Sequence, residues 1–179
     1  MSKKILLLVF VAAAVSLTAC ASKNTITVPM YSVNAQGLGE QAGTVKIKDS
    51  ENGLVFKVNV KNVPASPAHH GFHIHENPSC LAKSPDGKTS GPALAAGGHY
   101  DPQKTGAHLG PLGKGHKGDL PFINSDSKGR IKATVTAPRL RSAEVKNRAL
   151  MIHAGGDNYL DAPDPLGGGG ARIICGVIE

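Results

Sequence analysis

Residues 53–60 read Gly-Leu-Val-Phe-Lys-Val-Asn-Val, and this stretch indicates the fold class. Every second side chain in it is strongly apolar, namely Leu54, Phe56, Val58 and Val60. Successive side chains of a β-strand point to opposite faces, so this alternation predicts a strand with one buried face.

The same alternation recurs elsewhere, whereas helical periodicity is scarce. The other alternating sets are Ile26, Val28 and Met30; Val45 and Ile47; and Ile131, Ala133, Val135 and Ala137. The best helical candidate is the short stretch from Ser142 to Arg148. The sequence therefore predicts an all-β fold.

Two long stretches rich in glycine and proline, residues 77–120 and 155–171, separate the predicted strands. Loops of this length in a compact domain are usually functional or disordered. Both stretches contain residues that can bind metals, which favours ordered functional loops. The glycine run 167–170 fits a flexible linker or a tight backbone path into the last strand, and its position favours the tight path.

The N-terminus predicts export. Lys3 and Lys4 precede an apolar run over residues 5–15, which is too short to span a bilayer and is typical of a signal peptide covering residues 1–19. Leu-Thr-Ala-Cys at residues 17–20 resembles a bacterial lipoprotein box, in which Cys20 would carry lipid and anchor the protein to a membrane. The alternative is an ordinary signal peptide.

The remaining residues, 20–179, suit a single domain. The whole chain has a net charge of +7, to which Lys3 and Lys4 contribute, but it has no Lys/Arg run and only 4% aromatic residues. A nucleic-acid partner is therefore not indicated, while small anions and acidic surfaces stay open as partners.

Assigning Cys20 to the lipid leaves Cys80 and Cys175 as a pair in an oxidising compartment. A disulfide between them is the simpler interpretation. Two metal thiolates are the alternative, although no Cys-x-x-Cys spacing supports them.

Histidines occur in spacings that suit metal binding. His73 and His75 lie two residues apart, so on a strand both rings project from one face and can reach one metal. His116 and Asp119 supply a nitrogen and an oxygen ligand three residues apart. Further ring nitrogens come from His99, His108 and His153.

These residues lie in segments that resemble the bacterial branch of the copper,zinc superoxide dismutases, over essentially all of residues 20–179. The matching segments are His70-Gly-Phe-His-Ile-His75, Gly97-Gly-His-Tyr-Asp-Pro102, His108-Leu-Gly-Pro111, Gly115-His-Lys-Gly-Asp-Leu120, Met151-Ile-His-Ala-Gly-Gly-Asp-Asn158 and Gly170-Ala-Arg-Ile-Ile-Cys-Gly-Val177. The resemblance implies an eight-stranded Greek-key β-barrel of the immunoglobulin-like sandwich type.

The resemblance also implies a complete set of site residues. Copper would be bound by His73, His75, His99 and His153, and zinc by His99, His108, His116 and Asp119. His99 would bridge the two ions, and Asp157 would link the outer ring nitrogens of His73 and His108. His70 would be structural, Cys80 and Cys175 would form the family disulfide, and His69 has no assigned role.

The implied activity is the dismutation of superoxide to dioxygen and hydrogen peroxide in the periplasm or cell envelope. Arg172 would attract and orient the superoxide anion, and His99 would carry a proton. Lys83 and Lys88 are candidates for steering the substrate, although an ordinary solvated surface position is the better interpretation of both. A homodimer is left open.

Two alternatives share the predicted fold. The first is a copper-binding or copper-delivery protein, which would need neither a bridging histidine nor Arg172. The second is a structural lipoprotein whose zinc site only stabilises the sandwich.

Overall fold

A computed structural model describes residues 25–179, so the predicted signal peptide and the predicted lipid site at Cys20 lie outside the described residues. Within this range there are nine strands: β1 (Ile26–Asn34), β2 (Gly37–Ser50), β3 (Gly53–Val60), β4 (His69–His70), β5 (Phe72–His75), β6 (Ile123–Asn124), β7 (Ile131–Ala137), β8 (Arg148–His153) and β9 (Arg172–Ile178). Short 3-10 helices cover Leu94–Ala96 and Pro165–Gly168, and α1 covers Ser142–Val145.

Seven strands form one curled antiparallel sheet in the order β5-β8-β9-β1-β2-β3-β7, and β4 pairs with β6 in a separate ribbon. Neighbours such as β5 and β8 are far apart in sequence, as expected for Greek-key connections. The predicted all-β Greek-key architecture is confirmed. The predicted count of eight strands is not reproduced by the seven-plus-two arrangement.

The inner face of the sheet buries the apolar residues that the alternation predicted. Leu54, Phe56, Val58 and Val60 all belong to one buried core. Phe56 packs edge-on against Phe72 of β5, with ring centroids 5.7 Å apart. Burying a side chain of this size contributes about 1.5–3 kcal/mol, so the core holds β3 and β5 together.

The predicted helical stretch from Ser142 to Arg148 forms only one turn. Lys146 leaves the helical region with ψ of 146°, and Asn147 adopts a positive φ of 57°. Arg148 then begins β8. The turn is held at its start by Asp49, whose carboxylate accepts a hydrogen bond from the Ser142 backbone N–H at 2.9 Å.

Both predicted loops are irregular apart from their short helical turns, and the first is fastened in two ways. A disulfide joins Cys80 of this loop to Cys175 of β9, with 5.8 Å between the Cα atoms, so the predicted pairing is confirmed. Backbone hydrogen bonds also run from Tyr100 N–H to the Ile74 carbonyl and from Ile74 N–H to the Gly118 carbonyl. The loop therefore covers the free edge of β5.

Helices long and apolar enough to cross a bilayer are not found among residues 25–179.

Candidate metal centre

The local structure of β5 sets the direction of its two histidines. Phe72 and Ile74 point into the hydrophobic core, so His73 and His75 point to the opposite face, beneath the covering loop. His153 ends the neighbouring strand β8. All three imidazoles are buried.

Among the groups of buried side chains in residues 25–179 whose donor atoms lie within 4.8 Å of one another, two have four members. The first group consists of His73, His75, His99 and His153. The second consists of His99, His108, His116 and Asp119. These are the two predicted ligand sets, and the structure brings every member of each set together.

In the first group, backbone carbonyls fix two of the rings. His75 Nδ1 lies 3.0 Å from the Gly97 carbonyl, and His153 Nδ1 lies 3.2 Å from the Gly170 carbonyl, so each Nδ1 carries the proton and donates. The unprotonated Nε2 atoms of His75 and His153 then face each other at 3.4 Å. Two facing lone pairs need a cation or a proton between them.

Asp157 fixes two more rings from outside. Its Oδ2 accepts from His73 Nε2 and its Oδ1 accepts from His108 Nε2, both at 2.7 Å. Their Nδ1 atoms, together with Nδ1 of His116, are buried and have no hydrogen-bond partner within the described chain. Buried nitrogens are rarely left unpaired, and these three point into the two donor groups, so the residues present fit metal binding.

In the second group, ring nitrogens gather around one carboxylate oxygen. Asp119 Oδ1 lies 3.0 Å from His99 Nδ1, 3.1 Å from His108 Nδ1 and 3.5 Å from His116 Nδ1. Its other oxygen accepts from the backbone N–H of Leu109 at 3.2 Å. Three imidazoles and one carboxylate are a closed donor set of the kind that binds structural zinc tetrahedrally.

His99 belongs to both groups. Its Nδ1 faces Asp119, which leaves Nε2 for the first group. Its ring centroid is 4.0 Å from that of His73 and 5.4 Å from those of His108 and His116. This position suits a bridge between two cations.

The protonation states favour metal binding in the first group. Burial holds the pKa values of His73 and His75 well below their usual range, and burial also lowers the pKa of His153, to about 4. These imidazoles are therefore neutral near pH 7, which is the form that binds metals. Four neutral nitrogens suit copper.

Carboxylates dominate the second group. Burial opposes protonation of His108, but Asp119 and Asp157 outweigh it and raise the His108 pKa to about 9. Burial likewise disfavours the charged form of Asp119, yet the adjacent imidazoles of His108 and His99 hold its pKa below the usual range. Without a metal, a proton on His108 takes the place of the cation, and metal binding would release it.

Arg172 lies beside the first group, where the sequence predicted it. It is the strand partner of His153, and its guanidinium donates to the carbonyls of Ala93 and Gly97 at 2.7 Å and 2.6 Å. No carboxylate within residues 25–179 forms an ion pair with it. Its positive charge is therefore available to an anion.

The remaining histidines and Lys88 lie outside the two donor groups. His70 is buried and donates from Nδ1 to the His153 carbonyl at 2.9 Å, which supports the strand end, whereas His69 is exposed and bonds to Asn124 at 2.6 Å. Lys88 is exposed and 3.9 Å from Asp86. Neither His69 nor Lys88 belongs to either donor group.

Comparison with known proteins settles the family. Residues 41–178 match the family described as Copper/zinc superoxide dismutase (SODC). The chain belongs to this family. A curated relative from Brucella abortus, named Superoxide dismutase [Cu-Zn], is 56% identical over 154 residues, which are 86% of this chain and 87% of the relative.

Solved structures of copper/zinc superoxide dismutases agree in fold. The enzyme from Brucella abortus is 54% identical and superposes with a TM-score of 0.82, covering 87% of this chain and all of that one. The solution structure of the monomeric enzyme from Salmonella enterica is 52% identical with a TM-score of 0.74, again covering 87% of this chain and all of that one. Membership of this family, together with the two donor groups, indicates one copper and one zinc ion per chain.

Sequence reasoning missed three residues that shape the site of this copper/zinc superoxide dismutase family member. Arg139 donates to the carbonyls of Gly110, Pro111 and Gly115 at 3.0–3.1 Å and also to that of His116. It therefore holds the part of the loop that runs from His108 to His116. Its only signal in the sequence was its charge.

The other two missed residues are Asp161 and Gly167. Asp161 accepts a hydrogen bond from the His108 backbone N–H at 2.8 Å. Gly167 has a φ of 73°, and a Cβ there would overlap Asp157 Oδ1 and crowd His108 Nε2. The predicted tight backbone path thus has a specific cause, because the glycine run must pass directly over the Asp157 carboxylate.

Proposed function

We propose that this protein dismutates superoxide to dioxygen and hydrogen peroxide at a copper–zinc site bridged by His99. The observation that carries the proposal is that His99 is shared by two buried donor groups of different composition. A single structural metal would need only one group. Family membership and the unpaired charge of Arg172 support the same activity.

Bound copper would supply one-electron redox chemistry, and bound zinc would hold the second group in place. The overall reaction consumes two superoxide anions and two protons for each dioxygen and hydrogen peroxide formed. Arg172 binds and orients the anion, because its guanidinium is fixed by two carbonyls next to His153. The Gly97 carbonyl accepts from both Arg172 and His75, so one backbone group positions both side chains.

His99 can carry a proton at a defined atom. Its Nδ1 is turned toward Asp119, so Nε2 is the nitrogen that can accept a proton and deliver it within the first group. Burial lowers the pKa of His99, which favours release of that proton. His73 and His75 keep fixed tautomers through Asp157 and Gly97 and so contribute only their inward nitrogens.

The test is metal analysis and a superoxide-decay assay on the same purified sample. We expect about one copper and one zinc per chain and rapid decay that is lost on removal of copper. Copper binding without superoxide decay would favour the copper-delivery alternative. Zinc without copper, in protein exported from copper-replete cells, would favour the structural lipoprotein.

We further propose that the protein is exported to the periplasm or cell envelope and anchored through lipid on Cys20, with residues 20–179 as the mature domain. Supporting observations are the apolar run after Lys3 and Lys4 and the position of Cys20 at its end. Labelled palmitate should enter the natural chain and not Cys20→Ala. Label retained by the variant would exclude Cys20 as the acceptor.

Whether the chain is a monomer or a homodimer is a separate question from its activity. The Salmonella enterica relative is named monomeric, whereas a homodimer was left open by the sequence. Sedimentation of the purified chain distinguishes the two states.

A further inference from the structure

The outer face of β2, β3 and β7 carries four exposed lysines with no acidic residue among them. These are Lys46 and Lys48 on β2, Lys57 on β3 and Lys132 on β7, and we refer to them as the lysine face. Lys46 and Lys57 are direct cross-strand partners. Lys132 is the partner of Asn59, which puts it diagonally next to Lys57.

Nothing within residues 25–179 neutralises these charges. The Lys and Arg ion pairs in the described chain involve Lys88, Lys117 and Arg130. β1, β2, β3 and β7 contain two acidic residues, Glu40 and Asp49, and the Asp49 carboxylate is engaged by Ser142. Like charges placed directly opposite on a sheet are destabilising, so this arrangement has a cost in the isolated protein.

The lysine face lies away from the metal groups. Phe56 of β3 packs against Phe72 of β5 inside the core, so the outward-pointing Lys57 and His73 lie on opposite sides of the fold. A partner bound to the lysine face would therefore not cover the first donor group or Arg172. Adjacent strands are about 4.8 Å apart, so the four lysines form a patch about 10 Å wide across three strands.

The path of the chain brings this face close to its proposed anchor. Thr27 of β1 is the strand partner of Lys46, so the chain enters the fold beside the lysine face. Cys20 precedes Thr27 by seven residues, which can span at most about 25 Å. Lipid on Cys20, as proposed above, would hold the lysine face within that distance of a bilayer.

We propose that the lysine face docks on the anionic phospholipid headgroups of a membrane. A basic patch without acidic residues complements a layer of phosphate groups, and each lysine near such a surface strengthens binding about five-fold. The docking rests in part on the proposed lipid attachment, but it can be measured without it. Binding would orient the metal site away from the bilayer.

The experiment uses metal-loaded protein that begins at Ala21, so that neither the predicted signal peptide nor lipid on Cys20 can attach it to a membrane. Its sedimentation is measured with vesicles of phosphatidylcholine alone and with vesicles containing 30% phosphatidylglycerol. We expect binding only to the anionic vesicles and its loss in 0.5 M sodium chloride. Lys46→Gln with Lys57→Gln should weaken the partition about 25-fold without lowering the unfolding temperature or superoxide decay.

The matched control is Lys104→Gln with Lys146→Gln, which removes the same charge from exposed positions on other elements. It should keep binding within about two-fold. Equal weakening by both double variants would show a general charge effect and overturn the proposal. So would binding to isolated peptidoglycan without binding to anionic vesicles. Because superoxide decay is measured separately, failure of docking is distinct from failure of the proposed activity.

Discussion

Single hydrogen bonds decide which nitrogen each histidine presents to a metal. Asp157 occupies the outer nitrogens of His73 and His108, and the Gly97 carbonyl occupies that of His75. The inward nitrogens of His73 and His75 are then unprotonated, whereas His108 keeps a proton until a metal replaces it. The protein therefore orients these imidazoles before any metal binds, so they can be identified as ligands from the protein structure alone.

Arg172→Ile should leave the metals and the fold in place but lower kcat/KM for superoxide about ten-fold or more. A fixed positive charge in a cleft raises the association rate of an anion by about 10- to 1,000-fold, and salt weakens this effect. The variant should therefore show a shallower decline in rate with added salt. Stopped-flow superoxide decay at several salt concentrations measures both quantities.

The control for this prediction is Lys128→Met, which removes one charge from the exposed turn before β7. It should change the rate little. Arg172→Ile with a normal rate and normal salt dependence at full copper occupancy would remove Arg172 from the substrate path.

At the scale of elements, the site depends on loops that are fastened to rigid strands. The segment between β5 and β6 supplies His99, His108, His116 and Asp119, and it is bonded along the edge of β5. Arg139, just after β7, holds the part of this loop that carries two of the histidines. The positions of the second donor group are therefore set from two sides.

Arg139→Met should weaken zinc binding by roughly 10- to 100-fold, the range for partners that support metal ligands indirectly. Four backbone carbonyls would lose the guanidinium that orders them, so His116 should be held less firmly. The rate of zinc transfer to a coloured chelator measures the effect. Arg139→Lys should recover only part of it, since one ammonium cannot reproduce the planar fork.

Arg141→Met is the matched control, because its guanidinium bonds only to the adjacent Leu140 carbonyl within the described chain. Its zinc release should be close to that of the natural chain. If Arg139→Met also released zinc at the natural rate, the loop would not need this contact.

The strands and most of the site could be predicted from the sequence, because strand alternation is local and the histidine segments resemble a known family. Arg139, Asp161 and Gly167 could not, because their roles depend on contacts between distant parts of the chain. Asp161, for example, is 53 residues from the backbone N–H that it binds. The helix predicted from Ser142 to Arg148 was too long for a related reason. Arg148 pairs with Ile178 of β9, which is a contact between distant parts of the chain.

At the scale of the whole molecule, β9 connects the metal site to the first long loop. Cys175 and Arg172 both lie on this strand, and their partners Cys80, Ala93 and Gly97 all lie in the loop. The disulfide therefore supports the carbonyls that position Arg172 and His75. Stability and substrate binding should respond together when it is broken.

Reduction of the Cys80–Cys175 disulfide should lower the free energy of unfolding by about 2–5 kcal/mol. It should also lower superoxide decay, because the loop that orders Arg172 would loosen. Urea unfolding with and without reductant gives the first quantity, and Cys80→Ala with Cys175→Ala provides the same comparison without reductant. An unchanged unfolding curve would show that the link does not stabilise the fold.

Anomalous X-ray diffraction from the metal-loaded protein can show whether copper and zinc share His99. Data collected on both sides of the copper and zinc absorption edges locate each element separately. We expect a copper peak among His73, His75, His99 and His153, and a zinc peak among His99, His108, His116 and Asp119. A single peak, or two peaks without His99 between them, would contradict it.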